Sequence, residues 1–259
     1  VYYIMQMVHI VNRKGDIKLQ TNQKIPYNII QTFKTRDVSL SMWSNLNKWY
    51  ELNPEYNYLF FDDTDIKQYI EKFNFENLNI TKEKLMRAFK KIRPGAGKAD
   101  LFRLLVIYDK GGCYFDIDTT PMIPLRNFIN YDDEVVSGIG KRGDFHQWGL
   151  IYIPKHPFIK KALEMATSNI INENFINNIM TLEYLCGPPC LDLAIKFILK
   201  KDKKYKFKPG KHIINGISYT LLNGDHFNNN VSPRYKEYKN DIEKVGVIYW
   251  TNSRLFNRK

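Results

Sequence analysis

The sequence predicts an α/β fold, with a mostly parallel central sheet flanked by helices on both faces. Three observations predict it. Short apolar, β-rich runs alternate with segments of helical period across the first 130 residues, the layout that yields a parallel sheet. Hydrophobic residues make up 44% of the chain and aromatic ones 14%, enough for a sizeable core and too many for disorder. The length of 259 residues suits one large domain or two small ones, and we expect a single domain over 1–259.

Taken in order, Val1–Val11 and Ile17–Leu19 flank the turn-rich Asn12-Arg13-Lys14-Gly15-Asp16, which reads as a hairpin. Ile25 to Lys34 holds the next strand. Ser39 then caps a helix with Trp43, Leu46, Trp49 and Tyr50 at three-to-four-residue spacing, stopping before Pro54; that stripe reads as core. Tyr56–Phe61 is a second strand running into Asp62-Asp63, which are placed to cap a helix over Thr64–Phe73. Thr81 caps a further helix, Lys82–Ile92, whose basic end complements its carboxyl dipole.

Pro94-Gly95-Ala96-Gly97 leads into an apolar helix that Gly111-Gly112 stops. The short strand Cys113-Tyr114-Phe115 then delivers Asp116-Ile117-Asp118 into a turn kept open by Pro121 and Pro124. Glu134–Ile139 and Gln147–Ile153 read as strands around a Gly140–Gly143 loop. His156-Pro157-Phe158 opens one helix, and Gly187-Pro188 starts another over Cys190–Leu199. Lys200–Lys211 reads as an exposed, solvated basic loop rather than a binding element.

The net charge of +12 fits nucleic acid, an anionic membrane surface or an anionic substrate, and equally the Lys-, Asn- and Ile-rich usage of an AT-rich genome. The charges are scattered rather than striped and no nucleic-acid motif occurs, so no specific nucleic-acid partner is expected. Three cysteines, Cys113, Cys186 and Cys190, make a disulfide framework unexpected and read as reduced structural thiols in a cytosol-like compartment. No apolar run reaches about 18 residues, so neither a signal peptide nor a membrane span is expected within the chain. A start at Val1 leaves room for an upstream anchor, and either face of a membrane compartment is compatible with the sequence.

The chemistry concentrates between Gly97 and Leu125. Residues i and i+2 of an extended segment lie on one side, about 6.6 Å apart, so Asp116 and Asp118 are expected to converge on one cation while Ile117 points into the core. Asp100 and Arg103 share one helix face at about 5–6 Å, and the glycine turn folds that face towards the acids. An acid pair suited to a metal thus lies beside an acid and a guanidinium suited to hydroxyls and phosphate.

The ordered run Ala99-Asp100-Leu101-Phe102-Arg103, Leu104-Leu105, Tyr108, Gly111-Gly112, Tyr114 and Asp116-Ile117-Asp118 resembles the core signature of family 32 glycosyltransferases. These are DXD-containing, mannosyltransferase-like enzymes of the GT-A fold. The resemblance implies a Rossmann-like nucleotide-sugar-binding half over about residues 1–130, followed by a helical and irregular acceptor half and C-terminal lid over 131–259. It implies a UDP- or GDP-sugar donor, a glycan or other hydroxyl acceptor, and Mn²⁺ or Mg²⁺ as cofactor. In that scheme Asp118 is the direct metal ligand. Asp116 reaches ribose or sugar hydroxyls and the metal through water, Arg103 holds diphosphate or sugar, and Asp100 grips sugar hydroxyls. Retention of anomeric configuration is likewise implied.

Other segments carry over less completely. Ile25 to Lys34 resembles the family's first strand, with Phe33 in place of a Trp and Ile30 in place of a His. Gln31 and Thr32 at its end have two readings, contact with the donor nucleoside or strand-end polar groups bonding to backbone. Asp62 and Asp63 either bind ribose or cap their helix, and capping is favoured. Gln147 lies where relatives place a polar residue near the donor sugar. At the tail, Trp250 and Ser253 fit the family's His-x-Trp-x-x-Ser-Trp spacing, but Ile248 holds the His position and Arg254 the last Trp. Asn252 and Ser253 are expected over the diphosphate, with one metal ligand missing unless His226 or another group replaces it.

Three rivals stand beside this reading. Asp116-Ile117-Asp118-Thr119-Thr120 also matches the DxDxT loop of haloacid-dehalogenase-type phosphatases, whose first Asp is a nucleophile. That loop normally follows the first strand of its domain; here 115 residues precede it. A non-catalytic basic binding module rests on charge alone. A glycosidase needs carboxyls flanking a sugar at about 5–9.5 Å, which an acid pair on one strand beside an arginine serves poorly.

Overall fold

The computed structural model describes residues 7–16, 22–141, 143–173, 181–247 and 254–256. Its first strands are β1 (Met7–His9), β2 (Asn28–Thr32) and β3 (Asp37–Ser39), with β1 and β3 paired antiparallel. Helix α1 (Leu40–Leu52) begins where the Ser39 hydroxyl accepts from the Met42 amide. Strand β4 (Asn57–Phe61) feeds α2 (Asp63–Lys72) through a capping box between Asp62 and Asp65, so Asp62 caps its helix as favoured. Thr81 caps α3 (Lys82–Lys91), and α4 (Gly95–Lys110) runs to Gly111.

Among the described residues β1 pairs with β3, Val8 opposite Val38, and the second limb of the hairpin expected across residues 12–16, Ile17–Leu19, lies outside the described residues. Arg13 instead exchanges two backbone bonds with Tyr58, and the Phe60 amide donates to the Asn12 side chain at 2.9 Å. The physical reason is that β4 edges the large sheet and its outward amides and carbonyls need partners.

The second half adds β5 (Gly112–Phe115), β6 (Thr120–Pro121), β7 (Val135–Ile139) and β8 (Gly149–Tyr152). Helices α5 (Pro157–Asn172), α6 (Leu182–Cys186) and α7 (Pro188–Ile198) follow. Strands β9 (Gly210–Ile214) and β10 (Ile217–Asn223), helix α8 (Gly224–Asn230), strand β11 (Val231–Ser232) and helix α9 (Tyr238–Lys244) complete the described chain. Among the described residues seven strands form one sheet, ordered β4-β2-β5-β8-β7-β10-β9. Five of them run the same way, while β8 and β9 run against them.

The carboxyl ends of β2, β4, β5, β7 and β10 therefore share one edge with the start of β8. In open α/β sheets, that edge is where ligands bind. Alternation along the strands feeds two cores. Ile30 and Tyr114 face a cluster covered by α2 to α7, while Ile29, Cys113 and Phe115 face one covered by α1, α8 and α9. Gly112 marks the tightest passage: at φ +101° a Cβ there would sit 2.6 Å from the Asn28 carbonyl oxygen. All three cysteines are buried and free. Among the described residues no helix is long and apolar enough to cross a membrane.

Candidate active site

Helix α4 is buried along most of its length, and this forces its two charged groups onto each other. The Arg103 guanidinium, 5% exposed, pairs with Asp100 through Nη1 at 3.0 Å and with Asp116 through Nη2 at 2.6 Å. It also donates to the Gln147 carbonyl at 3.0 Å and lies 4.9 Å from the centre of the Tyr114 ring. A planar fork with fixed donors suits this bridging role, which a lysine would not fill.

The acids follow from β5, but not on an extended strand. Phe115 ends the strand, and the Thr119 amide and hydroxyl both donate to the Asp116 carbonyl, at 3.0 and 2.7 Å. Asp116 to Thr119 is thus a tight turn of the sort that Asp favours at its first position. Ile117 is buried in the core, as expected. The turn is braced from outside: Asn45 and Trp49 of α1 donate to the Thr119 carbonyl, and β6 pairs antiparallel with β11. The Asp118 carboxylate meets Arg234 Nε at 3.2 Å, and its carbonyl accepts from the Tyr235 amide at 2.8 Å.

Burial sets the electrostatics. It pushes Asp100 up to about 6, with Asp116 adding to the shift and Arg103 opposing it. Asp116 is raised by burial against the pull of Arg103, although 29% of its side chain remains open. Asp118 is raised by burial and by the neighbouring charge of Asp116, with Arg234 opposing. Burial works against the charge on Arg103, yet Asp116, Tyr114 and Asp100 together hold it firmly protonated. The Asp100–Arg103 pair is therefore unequal, because one guanidinium is shared by two acids. Two crowded carboxylates leave a local demand for positive charge.

That donor set fits a hard divalent cation. Arg103 and Tyr114 both bond Oδ1 of Asp116, and Arg234 bonds Oδ2 of Asp118, so these bonds engage one oxygen of each acid. Among the described residues no third His, Cys, Asp or Glu joins them in a metal-binding group. Two carboxylates alone suit a hard cation that takes the rest of its shell from water and substrate oxygens, rather than an all-protein cage.

The structure places the remaining sequence candidates in a supporting layer. Gln31 is fully buried; its amide donates to the Asp116 carbonyl at 3.1 Å and accepts from the Tyr58 hydroxyl at 2.8 Å. Of its two readings, bonding to backbone is the one these contacts match. Thr32 lies 3.1 Å from the Tyr114 hydroxyl, which donates to Asp116 Oδ1 at 3.2 Å. Gln147 is 1% exposed and donates to Asp100 and to the Cys186 carbonyl, while its own Oε1 is buried without a partner. Trp250, Asn252 and Ser253 lie outside the described residues. Arg234 was not singled out by the sequence, and no spacing in Ser232-Pro233-Arg234-Tyr235 would mark it.

Comparison with known proteins adds four findings. Residues 41–136 match the family model for a glycosyltransferase sugar-binding region containing a DXD motif. The chain is 27% identical over 137 residues to the initiation-specific alpha-1,6-mannosyltransferase of Schizosaccharomyces pombe, covering 46% of this chain and 34% of that protein. It is 26% identical over 191 residues to a mannosyl phosphorylinositol ceramide synthase of Saccharomyces cerevisiae, covering 71% and 44%. The chain thus spans less than half the length of these relatives. The solved PaToxG glycosyltransferase superposes with a TM-score of 0.53 at 19% identity, over 69% of this chain and 70% of that one, a likeness of fold.

Proposed function

We propose that this chain is a DXD-containing, mannosyltransferase-like glycosyltransferase, as the proteins it matches are, and that it moves a hexose from a UDP- or GDP-sugar to a hydroxyl of a glycan or other acceptor. The observation that carries the proposal is the convergence of Asp116, Asp118, Arg103 and Arg234 on one turn at the carboxyl end of β5. The names of the relatives favour mannose as the sugar.

Asp118 and Asp116 would hold a divalent cation, Mn²⁺ or Mg²⁺. When bound, such a cation neutralises the charge that develops on a departing diphosphate, as a Lewis acid. The protein's own groups do the rest. Arg103 fixes the orientation of Asp116 and the charge state of Asp100, so that both present acceptors to ribose and sugar hydroxyls. Tyr114 and Thr32 steady the same carboxylate from the sheet side. Arg234 sits where its guanidinium can pass from Asp118 to a diphosphate oxygen. Gln31 and Gln147 act as props beneath these groups, and Trp250, Asn252 and Ser253 would close over the diphosphate. Residues 1–130 would hold the donor and 131–259 the acceptor within one domain. Retention is our expectation for the stereochemistry.

The test is donor hydrolysis across a panel of UDP- and GDP-sugars with Mn²⁺, released sugar and nucleotide being quantified together. Turnover of one donor is expected. In parallel, Mn²⁺ with UDP or GDP is expected to raise the melting temperature, since a ligand that binds the native state alone stabilises it. No turnover and no shift with either nucleotide would remove the donor site.

A further inference from the structure

The large sheet has two edges, and they are finished differently. At the β4 edge, residues 12 and 13 cover the outward amides and carbonyls. Among the described residues no strand pairs with the outer side of β9. Eight large apolar side chains among them stand exposed, and four gather around this second edge. Phe197 lies near the end of α7, Tyr205 in the connection to β9, and Ile213 on β9 itself. Tyr131 adjoins Asp132, whose carboxylate pairs with Lys211 of β9. Their exposure runs from 37% for Tyr205 to 74% for Ile213. An exposed apolar cluster rimmed by polar groups marks contact with another surface.

The same edge carries the densest positive charge of the chain. Residues 200–211 hold seven lysines against one acid, Asp202, and no arginine. At the overall share of 39 Lys and Arg in 259 residues, twelve positions would hold about two. Six of the seven lysines are exposed, as the composition of the loop predicts. The loop beneath them is firmly built. Phe207 packs edge-on to Phe145 at 4.9 Å and to Tyr205 at 5.0 Å. Buried Lys196 of α7, paired with Asp192 at 2.7 Å, donates to the Lys203 carbonyl at 2.9 Å. The His212 ring stacks on Tyr219, so its neighbours Lys211 and Ile213 face the other side of the strand. Lysine and ring are interleaved: Lys161 Nζ lies 4.0 Å from the centre of the Phe197 ring, and Lys201 Nζ lies 4.9 Å from that of Tyr205.

We propose that the β9 edge docks on the surface of an anionic membrane, with Phe197, Tyr205 and Ile213 entering the headgroup layer and the lysines of 200–211 facing acidic lipids. Two features select a bilayer over a nucleic acid. Lysine is a point charge on a long apolar stem that can lie along an interface, whereas recognition of nucleic acid favours the planar fork of arginine. Phenyl and phenol rings suit an interface that is apolar at one end and wet at the other, and the aliphatic Ile213 has no flat face to stack on a base. A prebuilt loop also loses little freedom when it binds. Strand β9 lies four strand spacings, about 19 Å, from β5. Docking therefore leaves the Asp116–Asp118 turn to its own chemistry, and the inference does not rest on the transfer reaction.

The test is co-sedimentation with phosphatidylcholine vesicles, with and without phosphatidylserine. Retention is expected on the phosphatidylserine vesicles alone and should fall as salt is raised, because exposed charges are screened. Each lysine near such a surface contributes about fivefold to partitioning, so K203Q/K204Q/K208Q should bind about a hundredfold more weakly. F197S/I213S removes apolar contact and keeps the charge; it should bind the same vesicles about tenfold more weakly, with retention on heparin unchanged. All five substituted side chains are exposed, and circular dichroism should show both variants folded. No retention on either vesicle, equal retention on both, or undiminished binding by K203Q/K204Q/K208Q would overturn the docking surface. Undiminished vesicle binding by F197S/I213S, or binding of random DNA without vesicle retention, would reduce the edge to a polyanion-binding surface and overturn the membrane assignment.

Discussion

The two acids of the Asp116–Asp118 turn are one residue apart and live in different surroundings. On the α4 side, Asp116 is held by a 6%-exposed guanidinium that is itself tied to Asp100 and to the Gln147 carbonyl. On the β11–α9 side, Asp118 is held by Arg234, whose side chain is 45% exposed. A buried, multiply bonded arginine fixes geometry, because every motion would strand a desolvated charge. A half-exposed one contributes little to stability and is cheap to move. The difference is one of rigidity: Asp116 is locked by a desolvated partner, whereas Asp118 is held by an arginine that is cheap to move.

That contrast can be broken in several ways. The largest expected effect is Asp118→Ala, which should lower sugar transfer and donor hydrolysis by about 10²–10³-fold, the scale of losing one group that stabilises charge in the transition state. Circular dichroism should show the fold retained, and full activity would remove Asp118 from the centre. Arg103→Met should cost about 3–5 kcal/mol in urea unfolding, since it leaves Asp100 and Asp116 buried without their shared partner. Arg234→Ala should cost less than about 1 kcal/mol in the same assay while raising the donor KM. Equal stability losses in the two arginine variants would dissolve the distinction.

A third effect sharpens the comparison by separating the site from the scaffold. His156 caps α5 by accepting from the Phe158 amide through Nδ1 at 3.2 Å, and burial pulls it down to about 4. A folded pKa below the unfolded value means that its contribution is present above about 6.5 and lost as pH falls towards 4. Asp100 has the opposite sign: raised to about 6, it favours the folded state below about 4 and loses that contribution as pH rises through 6. The two partly cancel in the unaltered protein. His156→Asn keeps a capping oxygen and removes the titration, so its stability curve should diverge from wild type by about 2 kcal/mol between pH 7 and 4.5. Parallel curves in urea unfolding at those two pH values would exclude the assignment.

A further effect is expected of Tyr58→Phe, which leaves the Gln31 carbonyl buried without its donor and should cost about 1–3 kcal/mol at most. A change in donor KM larger than the stability loss would return Gln31 to a direct role in binding.

How much of this was legible varied with the range of the interaction. Ser39, Thr81 and the Gly111-Gly112 stop were readable because caps and glycine turns act within a few residues. Asp100 and Arg103 were readable as a pair because helical spacing alone puts them on one face. The bonding of residues 12 and 13 to β4 was not readable, because local turn residues say nothing about an edge strand that needs covering from elsewhere. The extended geometry assigned to Asp116 and Asp118 gave way to a turn, since Thr119 supplies two donors to one carbonyl. Arg234 lies 116 residues from the acid it contacts, and no periodicity spans that distance.

Composition and local pattern by themselves determined an α/β chain with a central helix, a glycine-stopped strand and two acids after it, because hydrophobic period, capping and turn chemistry are short-range properties. Only the tertiary structure decided which way β8 runs, which residues lie as props beneath the acids, and which basic group reaches Asp118. Those outcomes depend on strand order and on desolvation, and both arise when segments distant in the chain are packed against one another.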